Sequence, residues 1–266
     1  MTPLVLSFLW KAVVTAGVII AISRVAQSVG PWLAAILVGF PMSIGPGMVL
    51  LSLEHDREFI SQGALYSLAT TTPVLCFLLA YVHLSRVTHI WYCLLGAYAA
   101  WLVLALGLTY FALSLVPTLV VILIAFWLTD RLMPRLPLDR APPASGRGWT
   151  FMIVRGVAAG LLVSTVVLFA HLLGPRLSGV LVGFPVVVAS AAWMLASTGG
   201  ERLAAATLSY ADRGLASFVV FCLSVHLLAG PLSAFAATMS GLALSVAASA
   251  ATVAITVLYG RRVQNA

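Results

Sequence analysis

The sequence predicts an all-α polytopic membrane protein built from two copies of one unit, and two observations support this. First, 62% of the residues are hydrophobic and 8% are charged, whereas a soluble domain carries about 25% charged residues. Second, the stretch Leu-Val-Gly-Phe-Pro at 37–41 returns at 181–185, 144 residues later. Because the apolar runs do not alternate with polar residues as barrel strands do, we expect membrane-spanning helices.

The repeat extends beyond the shared motif. The pairs that fall on the same spacing are Gly30-Pro31 with Gly174-Pro175, Leu33 with Leu177, Tyr66 with Tyr210, and the basic residues Lys11 and Arg155. A common register over a motif, a tyrosine and a basic residue indicates a duplicated unit.

The first copy contains four spans and is followed by a fifth. We expect spans at about 4–23, 31–53 and 63–85, and we divide 88–132 near Leu113 to Pro117 because it is too long for one span. The first span resembles a secretory signal. We assign it to the fold, because Arg155 occupies the place of Lys11 within an internal segment.

The second copy has spans at about 151–173, 176–198, 205–229 and 232–259. We therefore divide the chain into a first repeat with an extra helix (1–132), a cytoplasmic linker rich in proline and arginine (133–149) and a second repeat (150–266). Five spans before the second copy reverse its direction through the membrane. The predicted architecture is an inverted repeat of nine helices, with the second helix of each copy interrupted by glycine and proline.

The basic residues predict the orientation of the chain. With the N-terminus outside and the C-terminus cytoplasmic, the cytoplasmic side receives Arg24, Arg86, Arg131, Arg135, Arg140, Arg147, Arg202, Arg261 and Arg262. Only Arg57 and Arg176 fall on the other side, as the positive-inside rule expects. We place the chain in a bacterial inner membrane. Its net charge of +7 then reflects topology and contact with membrane lipids, and we expect no nucleic-acid partner.

The repeated motif is the predicted substrate site. Gly39, Phe40 and Pro41 in one copy and Gly183, Phe184 and Pro185 in the other would break two helices at mid-membrane depth. Interrupted helices at the interface of inverted repeats hold the substrate in many secondary transporters. The alternative is that these glycines and prolines only kink or pack the helices.

Four further residues are candidate substrate ligands. Inversion would place Lys11 and Arg155 toward opposite faces of the membrane, where each would guard one side of a site for an anion. The alternative for both is a side chain that reaches the interface. Tyr66 and Tyr210 either line the cavity or form structural hydrogen bonds between helices.

Asp212 and Arg213 are the candidate coupling or gating groups. They have no charged counterparts in the first copy, where Leu68 and Ala69 stand. Since neighbouring residues point in different directions on a helix, we expect Arg155 to be the partner of Asp212. If the helix instead starts near Gly214, both residues are charges at the cytoplasmic boundary.

Metal and enzyme sites are not predicted. Glu54, His55 and Asp56 lack a second histidine cluster, and Cys76, Cys93 and Cys222 have no metal spacing, so we interpret the cysteines as packing residues. The acidic and histidine clusters of membrane enzymes are absent from the sequence. We expect no catalytic residue and no cofactor.

Each copy resembles the GlpM-like small membrane proteins, which are four-span units of unassigned biochemistry. The similar residues are Lys11 with Gly39-Phe40-Pro41, and Arg155 with Gly183-Phe184-Pro185. The resemblance implies a tandem fusion of such units with an extra span. It implies no function.

The sequence favours a secondary transporter of a small anionic or amphipathic solute that works by alternating access around the two breaks. One alternative is a non-transporting accessory or scaffold subunit of a membrane complex. Another is a flippase for a lipid-linked substrate. The expected partners are membrane lipids and a small-molecule or lipid-like substrate, with a homo-oligomer or a larger membrane complex left open.

Overall fold

The computed structural model describes residues 3–28, 44–136 and 148–264, and within these ranges the chain forms helices joined by short turns. The helices are α1 (Pro3–Ser28), α2 (Ile44–Glu54), α3 (Arg57–Ala69), α4 (Thr71–Leu84), α5 (Ile90–Tyr110), α6 (Leu115–Leu132), α7 (Gly148–Val182), α8 (Val186–Leu208), α9 (Leu215–Leu228) and α10 (Ala234–Gln264). A 3-10 turn, Ala211–Gly214, precedes α9. The first copy of the motif, Gly39, Phe40 and Pro41, lies outside the described residues.

Six segments of the described chain are long and apolar enough to cross a membrane, as in a membrane-embedded protein. They are Arg57–Leu84, Ile90–Tyr110, Leu115–Leu132, Trp149–Ser197, Ala211–Leu228 and Ala234–Ala251. The sequence predicted nine spans. One reason for the difference is that Trp149–Ser197 joins two predicted spans. The other is that the first and second predicted spans appear as the shorter apolar helices Val5–Ala21 and Ile44–Glu54, with 29–43 outside the described ranges.

Large apolar side chains cover much of the outer surface of the bundle. Val13 is 69% exposed, Val103 is 72% exposed and Leu123 is 68% exposed, although all three lie in apolar helices. A soluble protein rarely exposes contiguous apolar surface of this kind. Lipid chains in a bilayer accommodate it without cost, because they are as apolar as these side chains.

Helix boundaries in the two halves follow the spacing of the sequence repeat. Thr71 begins α4 and Leu215 begins α9, while Ile90 begins α5 and Ala234 begins α10. Each pair is 144 residues apart (215 − 71 and 234 − 90). The packing also corresponds, since α4 packs on α5 and α9 packs on α10. These two pairs of helices therefore begin at the same spacing as the sequence repeat and pack in the same order, and α4 and α9 also have the same length.

Helices α1 and α7 run antiparallel and pack closely through small residues. A methyl group on Gly160 would lie 2.6 Å from the carbonyl oxygen of Ala12, and one on Gly156 would lie 3.0 Å from that of Ala16. Ala12 and Ala16 are themselves the residues that match Gly156 and Gly160 at the repeat spacing. The contact is thus reciprocal: each position of one segment meets the match of the other position.

The segment from Gly148 to Leu208 contains three interruptions of regular helix geometry. Gly174 has φ 69° and Gly200 has φ 83°, a backbone conformation that favours glycine. Between them, Gly183, Phe184 and Pro185 separate α7 from α8. In the first half, Thr70 separates α3 from α4, two helices that together form one membrane segment.

Candidate functional site at two interrupted helices

The interruptions at Thr70 and at Gly183 meet inside the bundle. Both residues are buried, and a side chain on Gly183 would collide with the side chain of Thr70. Ser67 donates a hydrogen bond from Oγ to the carbonyl oxygen of Gly179 at 2.7 Å. This bond fixes the end of α3 against the last turns of α7, and these are the helix ends that precede the two interruptions.

Threonine hydroxyls satisfy backbone groups at the first interruption. Thr70 Oγ1 donates to the carbonyl oxygen of Ser67, and Thr71 Oγ1 donates to that of Leu68, both at 2.6 Å. Pro73 cannot donate a backbone N–H in this turn. The side chains supply hydrogen bonds near the point where the backbone ladder is weakened.

Phe184 belongs to an aromatic cluster. Its ring stacks on Tyr98, with centroids 5.1 Å apart and an interplanar angle of 14°, and meets Trp101 edge-on at 4.9 Å. Tyr98 also contacts Phe77 edge-on. Phe184 therefore joins the second interruption to α5, and Tyr98 extends the cluster to Phe77 of α4. Its neighbouring residue Pro185 is buried.

The stretch that follows the first copy of the motif also contacts the end of α7, through Gly47. A methyl group on Gly47 would lie 3.0 Å from Cγ1 of Val182, the residue before Gly183. Gly47 ends the Gly-Pro-Gly stretch that follows the first copy of the motif. The described part of this contact is tightly packed.

Lys11 forms a buried ion pair. Its Nζ lies 2.5 Å from Oε1 of Glu54, and its side chain is only 3% exposed. The ammonium is buried, whereas the carboxylate of Glu54 is 38% exposed. The charge of Lys11 is neutralised, which leaves less of it for an anionic substrate.

Arg155 is half-buried on α7. It lies four residues before Ala159, which is fully buried, and on the helix that packs on α1. Arg155 stays a predicted substrate ligand.

Tyr66 has a structural hydrogen bond between helices. Its hydroxyl donates to the carbonyl oxygen of Phe111 at 2.7 Å and accepts from the backbone N–H of Leu113 at 3.4 Å. The guanidinium of Arg176 lies over its ring, 5.7 Å from the centroid. Tyr66 therefore holds the turn between α5 and α6 while an exposed arginine covers its other side.

Asp212 is buried and is bound by Arg135, in the linker, rather than by Arg155 as we expected. The two terminal nitrogens of Arg135 donate to its two carboxylate oxygens, at 2.8 and 2.9 Å. Arg135 also donates to the carbonyl oxygen of Ser209 and to Asp130. The hydrogen bonds to Asp212 raise the pKa of the guanidinium above its ordinary value.

Arg213 and Tyr210 flank this ion pair. Arg213 is exposed, and both its guanidinium and that of Arg135 lie over the ring of Tyr210, at 5.3 and 5.6 Å. Helix α9 begins at Leu215, which agrees with the alternative prediction that this helix starts near Gly214. The same alternative treats Asp212 as an ordinary boundary charge, whereas its side chain is 7% exposed and paired.

Sequence reasoning missed Glu54 and Arg135 as the partners of Lys11 and Asp212. Both residues lay in segments interpreted as polar connections, whereas Glu54 is the last residue of α2 and Arg135 folds back onto the second half. The available signal was charge balance, since a buried charge requires an opposite one. The chain has only seven acidic residues, so each buried basic residue has few possible partners.

A metal centre is not found among the described residues, where no three histidine, cysteine or acidic side chains come together. The three cysteines are free thiols, and Cys93 and Cys222 are buried. Comparisons of the chain with protein-family models, with curated proteins and with solved structures return no match.

Proposed function

We propose that this chain is a secondary transporter of a small anionic or amphipathic solute. The single observation that carries the proposal is the buried contact between the interruptions at Thr70 and Gly183. Membrane helices with broken backbones place polar groups at depth, where a structural helix would have none available.

The antiparallel contact of α1 with α7 supports an inverted repeat. Inversion requires that matching helices of the two copies run in opposite directions. Ala12 against Gly160 and Ala16 against Gly156 meet this requirement reciprocally. Such an architecture supports alternating access because each half repeats the other in reverse.

The start of α8 supports an anionic group as part of the substrate. Helix α8 begins at Val186, three residues after Gly183, the residue that contacts Thr70. The N-terminal end of a helix carries partial positive charge and attracts anions. In transporters of inverted-repeat type, half-helix ends of this kind point at anionic substrate groups.

Currents on solid-supported membranes test this proposal. Proteoliposomes would receive concentration jumps of phosphate, succinate or octanoate, which sample an inorganic anion, a small carboxylate and an amphipathic carboxylate. We expect at least one anion to give a current that protein-free liposomes lack. Pro185→Ala should reduce this current, because it removes the proline that separates α7 from α8.

Pro231→Ala is the matched control, because Pro231 lies in an exposed turn between α9 and α10. It should keep the current of the unchanged protein. A well-inserted Pro185→Ala protein with an undiminished current would contradict a role for the interruption in transport.

A further inference from the structure

A cavity lies between α4, α5 and α6 and extends to the residues next to Thr70. Its volume is about 380 Å³, near the lower end of the range of about 300–1,000 Å³ for small-molecule sites. The residues that line it are Ala69, Thr72, Pro73, Leu104, Leu108, Phe111, Ala112, Leu113, Ser114, Pro117, Thr118 and Val121.

The cavity opens toward lipid. Half of its twelve lining residues are exposed, and among the large apolar ones Leu104 is 39% exposed, Phe111 is 64% exposed and Val121 is 50% exposed. The lining residues of α4, α5 and α6 belong to segments long enough to span the membrane. Where such segments cross a bilayer the surrounding medium is hydrocarbon, so an apolar chain is the group that fills the cavity at the least cost.

One end of the cavity lies at the turn between α5 and α6, where a charged group is close. Phe111 and Leu113 line the cavity, and their backbone groups bind the hydroxyl of Tyr66. Arg176 covers the ring of that tyrosine and is exposed. Within the described ranges, the ion pairs of the chain do not include Arg176.

We propose that this cavity binds an acyl chain of an anionic phospholipid, with the phosphate of the headgroup beside Arg176. The apolar lining accepts the chain, and the arginine, one tyrosine away from the cavity end, supplies the opposite charge. Since Ala69, Thr72 and Pro73 adjoin Thr70, the bound lipid contacts the helix interruption itself. The proposal does not depend on transport.

Native mass spectrometry of the protein with phosphatidylglycerol or phosphatidylethanolamine tests the proposal. We expect the unchanged protein to retain phosphatidylglycerol more strongly. Leu108→Trp fills the cavity from α5 and should weaken retention about tenfold. Leu106→Trp is the matched control, because Leu106 is on the same helix, is 49% exposed and does not line the cavity.

A second pair of variants, on α6, distinguishes a filled cavity from a folding defect in α5. Val121→Trp should weaken lipid retention from the α6 wall, whereas Leu123→Trp, 68% exposed on the same helix, should not. If Leu108→Trp and Val121→Trp proteins that melt normally retain phosphatidylglycerol as well as their controls, the cavity does not bind the chain.

Arg176→Gln tests the headgroup contact. We expect about fivefold weaker retention of phosphatidylglycerol, since one basic residue near the membrane surface contributes about 1 kcal/mol toward anionic lipid. Arg57→Gln is the control, because Arg57 instead donates to the carbonyl oxygen of Gly230. Equal retention of both lipids by the unchanged protein, or no effect of Arg176→Gln, would overturn the anionic part of the proposal.

Discussion

Arg135 binds Asp212 through both of its terminal nitrogens, and this contact fixes the end of α6 to the second half of the bundle. The other end of α6 is fixed to the first half, because the preceding turn binds the hydroxyl of Tyr66. Tyr66 matches Tyr210 at the repeat spacing, and Tyr210 lies two residues before Asp212. Helix α6 is therefore held at one end by Tyr66 in the first half and at the other end by Asp212 in the second half.

Asp212→Asn should destabilise the protein by about 1.5–3 kcal/mol, the usual value of hydrogen bonds to charged groups. The substitution removes the negative charge while Arg135, 23% exposed, stays close. Thermal unfolding in detergent, followed by intrinsic fluorescence, would show a lower midpoint.

Asp130→Asn is the control within the same cluster. Asp130 also binds Arg135, but its side chain is 74% exposed, and exposed ion pairs contribute about 0–1 kcal/mol. Equal losses of stability in the two variants would contradict the assignment of Asp212 as the main partner.

The ion pair of Lys11 with Glu54 predicts an asymmetry between two substitutions. Glu54→Gln leaves a buried ammonium without a carboxylate and should destabilise the protein by about 1–3 kcal/mol. Lys11→Met keeps most of the volume and leaves a carboxylate that is 38% exposed, so its effect should be smaller. The double variant should recover part of the stability lost in Glu54→Gln. A double variant less stable than Glu54→Gln alone would argue against the pair.

The all-helical fold and many of its helix boundaries were predictable from the sequence. The long apolar runs indicated helices, and division of 88–132 near Leu113 to Pro117 agrees with the observed turn between Tyr110 and Leu115. These features are local. They depend on hydropathy and on proline, glycine and serine near turns, and both can be read residue by residue.

The pairing of charged groups was not predictable in the same way. Arg135 was placed with the arginines of a cytoplasmic linker, yet it binds Asp212, 77 residues further along the chain. Likewise, Glu54 was placed in a polar loop, and it binds Lys11 across the bundle. Such contacts are set by the packing of distant helices, which composition and periodicity do not encode.

The lowered pKa of His55 leads us to expect a loss of stability at acid pH. His55 lies between α2 and α3, where its ring stacks on Phe59 at 4.0 Å. Burial lowers the pKa of His55 below the ordinary value of 6.5; nearby Glu54 and Asp56 oppose the shift, while His171 and Lys11 add to it.

The unfolded chain takes up a proton at His55 near pH 6.5, before the folded protein does. The contribution of neutral His55 to stability is therefore present above this pH and is lost as the pH falls toward its lowered pKa. His55→Phe, which keeps a ring for stacking, should reduce the fall in melting temperature between pH 7 and pH 5. An unchanged pH dependence would assign that fall to other groups.

The close contact of α1 with α7 predicts that Gly160→Ala destabilises the protein. The added methyl group would lie 2.6 Å from the carbonyl oxygen of Ala12 and 3.2 Å from Cβ of Ala16, so the helices must separate. Overpacking of this kind costs about 1–3 kcal/mol.

Gly107→Ala is the matched control on α5, where nothing lies within 4 Å of the added methyl. Because alanine has the higher helix propensity, this variant should be as stable as the unchanged protein or more stable by up to about 1 kcal/mol. Thermal unfolding of both variants measures the difference. If Gly160→Ala is as stable as Gly107→Ala, the two helices do not depend on their close approach, and the reciprocal contact between the halves loses its support as a constraint on the fold.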